Sequence, residues 1–337
     1  MESAGKKQSQ NKQLSQRNIL FWPLLKSVSR SFYLSLRYLP NAVRLPLSLA
    51  YLLARVTDTL ADYSTIPVMF RKEMMAQLKI LVSEPSHFFL LSEVNQNVKP
   101  YLSHFSDSDR ALIENIPFLF ELLHEQSAQD KIYIQDVLNK IIEGQLIDLN
   151  YFDSQKGIVH FSTDEELDNY LYLVAGCVGE FWTKLCCSYI PGYTKDNLSS
   201  LLLKAINFGK ALQLTNILRD LPCDLANGRL YLPYQGSCSQ DNLEQFVNEL
   251  SIKESALIER WRSQALDYLS DAALYIQAVN NRRVKFACLV PYFIAKETLN
   301  TLKDLSYIAK RQAIKISRKQ VYLYLWKALY TRNVATN

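Results

Sequence analysis

Two apolar segments, each carrying a pair of aspartates four residues apart, constrain this chain more than anything else in it. The first reads SLAYLLARVTDTLAD, Ser48 to Asp62; the second reads FGKALQLTNILRDLPCDLANGRLYLP, Phe208 to Pro233. On a helical wheel of about 100° per residue, Ser48, Tyr51, Arg55, Asp58 and Asp62 fall within roughly 80°. Leu47, Leu49, Leu52, Leu53, Val56 and Leu60 fill the remaining arc. In the second segment Gly209, Gln213, Asn216 and Asp220 stack within roughly 60°, and Asp224 joins them if the helix continues. A helix that is apolar nearly all round is a buried helix, so each polar stripe must face an internal cavity or a partner. Carboxylates are kept out of such places unless something pairs with them. For the first stripe alone, an aspartate pair at a helix end with Arg55 as ion-pair partner is a sufficient account. Two such stripes favour hard cations between them. Mg²⁺ takes one or two carboxylates, keeps some waters and completes its octahedron with substrate phosphate oxygens.

The rest of the chain reads as all-α. Only nine glycines occur in 337 residues, strand-like alternation is scarce, and helix formers dominate long segments punctuated by Pro or Asn/Asp/Ser/Gly clusters. The pattern predicts helices near 17–38, 42–62, 67–83, 87–102, 108–124, 129–152, 164–189, 194–222, 240–249, 253–279, 283–304 and 317–331. Pro222 lacks an N–H and biases Leu221 away from helix, so the second segment is expected to kink or end there, leaving Asp224 less firmly placed. No Pro/Gly/Ser-rich linker, low-complexity tract or internal repeat interrupts the chain. The expected organisation is a polar tail over 1–17 and one all-α domain over 18–332.

Several function classes are disfavoured. The net charge of +5 is spread over scattered Lys and Arg, with no block that would track a phosphate backbone, so no nucleic-acid partner is expected. Six cysteines show no CxxC and no His pair at zinc spacing, and read as reduced core thiols of a cytoplasmic protein. The polar N-terminus has no apolar h-region, and no apolar run reaches the roughly 18 residues that span a bilayer. A cytoplasmic monomer with peripheral contact to a membrane surface is the expectation.

At this point the chain resembles the squalene/phytoene synthase family, which joins prenyl diphosphates head to head. The resemblance runs from about residue 27 to 300, closest to bacterial-type squalene synthases. It is carried by SRSFYLSLRYLP (Ser29 to Pro40), ARVTDTLAD, YLYLVAGCVGEF (Tyr170 to Phe181) and QLTNILRDLPCDLANGRLYLP (Gln213 to Pro233). It implies an isoprenoid-synthase-like helical bundle around one central cavity. Asp58 and Asp62 would form a first aspartate motif and Asp220 and Asp224 a second, both holding Mg²⁺ against diphosphate. Ser29, Arg30 and Ser31 would contact diphosphate, as would Arg55, Arg219 and Arg229. Tyr170, Gln213 and Asn216 would line the reaction cavity, with Arg55 and Arg219 also serving catalysis. Guanidinium suits phosphate because it binds in bidentate fashion. An allylic cation needs a dry pocket with aromatic walls.

Ala61 stands where relatives often carry a further acid, so the first motif rests on two carboxylates. Structural readings sit beside these roles: Arg30 as a helix-end charge, Tyr170 as a core tyrosine, Gln213 and Asn216 as helix cross-links. Asp148, in EGQLIDLNYF, fits cavity lining and structural pairing equally, and NNRRVKF (Asn280 to Phe286) reads as a surface turn. The resemblance implies condensation of two farnesyl diphosphates through presqualene diphosphate to squalene, with NADPH as reductant. The alternatives are phytoene from two geranylgeranyl diphosphates, a reaction ending at presqualene diphosphate or dehydrosqualene, and a non-enzymatic assembly factor on the same fold.

Overall fold

Local capping chemistry sets many of the helix starts. Ser106, Ser127, Thr163, Asn197, Asn281 and Ser317 each accept a hydrogen bond from a backbone amide of the first turn that follows, satisfying donors a helix start leaves orphaned. The computed structural model describes residues 17–29, 32–152, 157–234, 255–303 and 316–331. A π turn over Arg17–Phe21 leads into α1 (Trp22–Ser29), then α2 (Phe32–Tyr38), α3 (Asn41–Asp62), α4 (Val68–Ser83) and α5 (Phe88–Val98). Next come α6 (Asp107–Glu114), α7 (Ile116–His124), α8 (Ala128–Tyr151), α9 (Asp164–Leu171), α10 (Cys177–Tyr189) and α11 (Leu198–Ala226). The described chain closes with α12 (Ser255–Ala278), α13 (Arg282–Thr301) and α14 (Arg318–Tyr330). The all-α expectation holds.

The differences from the expected pattern have local causes. The stretch 108–124 divides at Asn115, which ends α6 and starts α7 one residue before Ile116-Pro117. The stretch 87–102 gives way after Val98 to a 3₁₀ turn, Lys99–His104, that contains Pro100. The stretch 17–38 is divided into a π turn and two short helices. Pro222 does not end α11: the proline lies buried within the helix, which runs on to Ala226 and keeps Asp224 one turn beyond Asp220. Two short strands, β1 (Val159–His160) and β2 (Arg229–Leu230), pair in parallel; at two residues each they are too short for an alternation pattern to announce. The helix expected at 240–249 lies outside the described residues. Cys177, Cys186 and Cys288 are buried free thiols and Cys187 is partly buried, but Cys223 faces solvent and is not a core residue.

Helices α3, α8, α10 and α11 pack about a common core and enclose the space where the polar stripes point. The segment 164–189 is one helical run interrupted by a π turn at Tyr172–Gly176, a distortion frequent at functional sites. It crosses α11 on glycine. A Cβ on Gly209 would stand 2.2 Å from the Ala175 carbonyl oxygen, and one on Gly179 2.0 Å from that of Ala205. Gly209→Ala is therefore expected to cost upward of about 2 kcal/mol, seen as a melting temperature lower by about 3 °C or more in scanning fluorimetry. An unchanged melting temperature would contradict so close a crossing.

Candidate active site

A cavity of about 660 Å³ opens between these helices, lined by Tyr51, Arg55, Asp58 and Asp62 of α3, Asp148 of α8, Tyr170 of α9, Gln213 of α11 and Arg229 of β2. Its walls are apolar and aromatic, among them Phe32, Leu47, Val174, Phe181 and Trp182. A second, almost wholly apolar space of about 200 Å³ shares Phe32, Val174, Val178, Trp182 and Gln213 with it and continues to Asn216, Phe208, Tyr275 and Cys288. The polar stripe of α3 faces the first space, as its wheel requires.

Arg55 is clamped from two sides. It donates to Asp58 Oδ2 at 2.5 Å and to Asp109 Oδ1 at 3.2 Å. Asp109, buried at the start of α6, accepts further hydrogen bonds from Ser106 Oγ and Tyr63 Oη, each at 2.8 Å. Burial alone would raise this carboxyl, but the bonds from Ser106 and Tyr63 and the charge of Arg55 hold it below the usual carboxylate range. Asp109 is thus a fixed anion that orients Arg55. Sequence reasoning missed it, although Ser106-x-x-Asp109 is a helix-start pattern that places a carboxylate in the first turn.

On α11, Arg219 donates in bidentate fashion to Asp220, Nε to Oδ1 at 2.9 Å and an Nη to Oδ2 at 2.5 Å. Arg219, Asp220 and Asp224 are not among the residues lining the main cavity, although Asp224 feels charges that do line it. The Asp62 carboxyl is pushed up to about 7 by burial and by the charges of Asp58 and Asp148, against the pull of Arg229 and Arg55. Asp224 is likewise pushed up to about 7 by burial and by Asp220 and Asp148, against Arg229 and Arg219. Asp58 is raised by burial, with Arg55 opposing. Asp148 and Arg229 therefore act on one member of each aspartate pair, Asp62 of the first and Asp224 of the second.

Asp148 resolves its two readings by satisfying both. It lines the cavity, and its carboxylate accepts from Tyr170 Oη at 2.7 Å and Tyr231 Oη at 2.9 Å. The two rings stack 5.3 Å apart, flanked by Phe152 and Phe161. Burial raises Asp148 to about 6 in spite of these bonds and the nearby Arg229. Tyr170 is thus both buried and at the cavity wall. Tyr231 went unnoticed within GRLYLP; the β1–β2 pairing, which aligns Arg229 with Val159, brings its neighbour Tyr231 to Asp148.

Ser29 lines the cavity with its hydroxyl donated to the Leu25 carbonyl. Arg30 and Ser31 lie outside the described residues. Arg282 and Arg283 of NNRRVKF open α13 as an N-capped helix start, not a free turn.

Among the described residues no three or more of His, Cys, Asp and Glu form a ready-made metal cage. The donor set nonetheless fits Mg²⁺, which takes one or two carboxylates and completes its shell with water and phosphate oxygens. Carboxyls near 7 under mutual repulsion are what a bridging cation relieves. This yields a signed pH dependence. Asp62 and Asp224 bind protons more tightly folded than unfolded, so their contribution to stability is present at low pH and lost as pH rises from about 4 to about 7. Mg²⁺ with pyrophosphate should raise the melting temperature at pH 8 and leave it nearly unchanged at pH 5. Equal shifts at both values would count against these carboxylates as ligands.

Comparison with known proteins gives a consistent set of relatives. The family profile described as Squalene/phytoene synthase matches residues 25–320. A squalene synthase of Mycosarcoma maydis is 24% identical over 336 residues, covering 93% of this chain and 55% of its own length. A bifunctional lycopene cyclase/phytoene synthase of Phycomyces blakesleeanus is also 24% identical, covering 89% of this chain and 49% of its own. The chain thus spans about half the length of these two curated relatives. Among solved structures, a ligand complex of TcSQS superposes with a TM-score of 0.70 at 21% identity, covering 91% of this chain and 85% of that one, a likeness of fold.

Proposed function

Because the chain belongs to the squalene/phytoene synthase family, we propose that it is a Mg²⁺-dependent prenyltransferase that joins two farnesyl diphosphates head to head, through presqualene diphosphate, to squalene. The observation that supports this reading is that one aspartate of each pair, Asp62 and Asp224, feels the same Asp148 and Arg229 at the edge of an apolar, aromatic-walled cavity.

In the first step the C1–O bond of one substrate breaks, pyrophosphate leaves with the bonding electrons, and the alkene of the second substrate captures C1. Loss of a proton closes the cyclopropane. Asp58, Asp62, Asp220 and Asp224 would hold Mg²⁺, which when bound would supply charge neutralisation for the departing pyrophosphate. Arg229 stands among these carboxylates and offers a guanidinium to the same anion. Arg55, fixed by Asp109, presents its charge without having to reorganise as the bond breaks. Ser29, which lines the cavity, would add a diphosphate contact, with Arg30 and Ser31 next to it in sequence. Phe181, Trp182 and Phe32 exclude water from the cation and face it with π density. Gln213 and Asn216 carry polar groups into the otherwise apolar rear space, where they hold the reacting chains in register.

The second reading is phytoene synthesis from two geranylgeranyl diphosphates, supported by equal identity to a phytoene synthase relative and by the apolar space behind the main cavity. Mass spectrometry of products formed with Mg²⁺ and either diphosphate, with and without NADPH, decides between them. Squalene that forms from farnesyl diphosphate only with NADPH supports the first reading. Presqualene diphosphate or dehydrosqualene as the end point under both conditions removes the reductive step, and a C40 product from the longer substrate overturns the assignment.

A further inference from the structure

Asp148 lines the cavity yet has no part in the bond-breaking step, and the same holds for the tyrosine that meets it from β2. Tyr231 follows β2 directly. Arg229 and Tyr231 are two residues apart, the spacing that puts side chains on one side of an extended segment, and both engage Asp148. Tyr231 donates its hydroxyl to Asp148 Oδ1 at 2.9 Å, and the charge of Arg229 pulls on the same carboxyl. Leu230, between them, is fully buried.

The backbone alone holds this segment weakly. After α11 ends at Ala226 the chain turns at Gly228, whose φ of 75° lies in the left-handed region. It then pairs with β1 for two residues, an amount of strand pairing that is marginal by itself. Tyr231 supplies the anchor. Its side chain is buried, with the ring stacked on Tyr170 at 5.3 Å, Phe152 at 4.7 Å and Phe161 at 6.2 Å. Asp148 belongs to α8 and also accepts from Tyr170 of α9, so one hydroxyl ties β2 to two helices. Packing does not require this hydroxyl or the acid it meets. A Phe–Leu contact would fill the space without the cost of burying a carboxylate.

We infer that Tyr231 is a positioning residue for diphosphate binding: anchored on Asp148 and Tyr170, it holds β2 so that the guanidinium of Arg229 stays at the cavity wall to receive phosphate oxygens. A guanidinium binds phosphate well when its fork is held in place beforehand. This role rests on the diphosphate chemistry proposed above, and not on which prenyl chain is joined.

The test is binding of inorganic pyrophosphate with Mg²⁺, by isothermal titration calorimetry, to the full-length wild type, Tyr231→Phe, Arg229→Gln and the double variant. Tyr231→Phe keeps the ring and its stacking, so its melting temperature should stay within about 4 °C of wild type, while its dissociation constant rises about tenfold. Arg229→Gln should raise the constant about tenfold or more. Adding Tyr231→Phe to it should change the constant by about twofold at most, because the group being positioned is gone. With farnesyl diphosphate the loss in Tyr231→Phe should fall mainly in KM. Should Tyr231→Phe fail to fold, Gly228→Ala displaces β2 with Tyr231 intact, since its Cβ would stand 2.6 Å from the Gly157 carbonyl oxygen, and the same weakening is expected. A tyrosine with only a structural role would lower the melting temperature and leave binding by the folded protein unchanged. The inference is overturned if wild type does not bind pyrophosphate, if folded Tyr231→Phe or Gly228→Ala binds it as wild type does, or if the two losses add in the double variant. Wild type that binds pyrophosphate but turns over no prenyl diphosphate removes the prenyltransferase reading instead and leaves this role standing.

Discussion

Asp58→Asn or Asp220→Asn is expected to lower turnover of prenyl diphosphate by about a thousandfold or more while leaving the helical circular dichroism intact. Each substitution is nearly isosteric and removes one anionic ligand from a pair that has no third carboxylate, Ala61 standing where a further acid could have helped. Loss of a preorganised charge contact at a departing anion costs about 10²–10³ in kcat on its own, and weakened metal binding adds to it. The fold should survive. Arg55 keeps Asp109 as a partner when Asp58 is neutralised, and Asp220 is a part-exposed pair to Arg219, the kind of pair worth about 1 kcal/mol or less. Activity within tenfold of wild type would remove these residues from the metal site; loss of helical signal would make them structural.

The second large effect is expected at Arg55. Arg55→Gln should lower kcat/KM by about a hundredfold, with part of the loss in KM for the diphosphate, because the cation both binds the substrate and offsets Asp58. Asp109→Asn should give a smaller loss of about tenfold, expressed through Arg55: the guanidinium remains but loses its second anchor. In the Arg55→Gln background the Asp109 substitution should add almost nothing. Steady-state kinetics of the two single variants and the double variant form the check. Additive losses would mean that Asp109 acts apart from Arg55.

Most of the helical framework was legible because its cause is local. The apolar periodicity of 42–62 and 194–222 and the caps at Ser127 and Asn197 mark helix faces and starts without reference to the rest of the molecule. The two aspartate stripes were legible for the same reason, since a carboxylate on an otherwise apolar helix needs an explanation wherever that helix goes. Pro222 misled because the local rule against proline was outweighed: burial of Leu221, Pro222 and Leu225 against the bundle holds α11 helical through it.

What the sequence concealed depends on tertiary meeting points. Asp109 lies 54 positions from the arginine it anchors, and Tyr231 lies 83 positions from Asp148. Only the packed bundle, together with the two-residue strands that no alternation could announce, brings them together. The π turn at Tyr172–Gly176 is equally silent in sequence, since YLVAG has no residue that forces it.

Pyrophosphate release from farnesyl diphosphate, followed with and without Mg²⁺, reports most directly on opposed aspartates bridged to a leaving diphosphate. Release should require Mg²⁺, be abolished by chelation and return when the ion is restored. Failure to release pyrophosphate from either farnesyl or geranylgeranyl diphosphate with Mg²⁺ present, or release that proceeds equally without the ion, would contradict it.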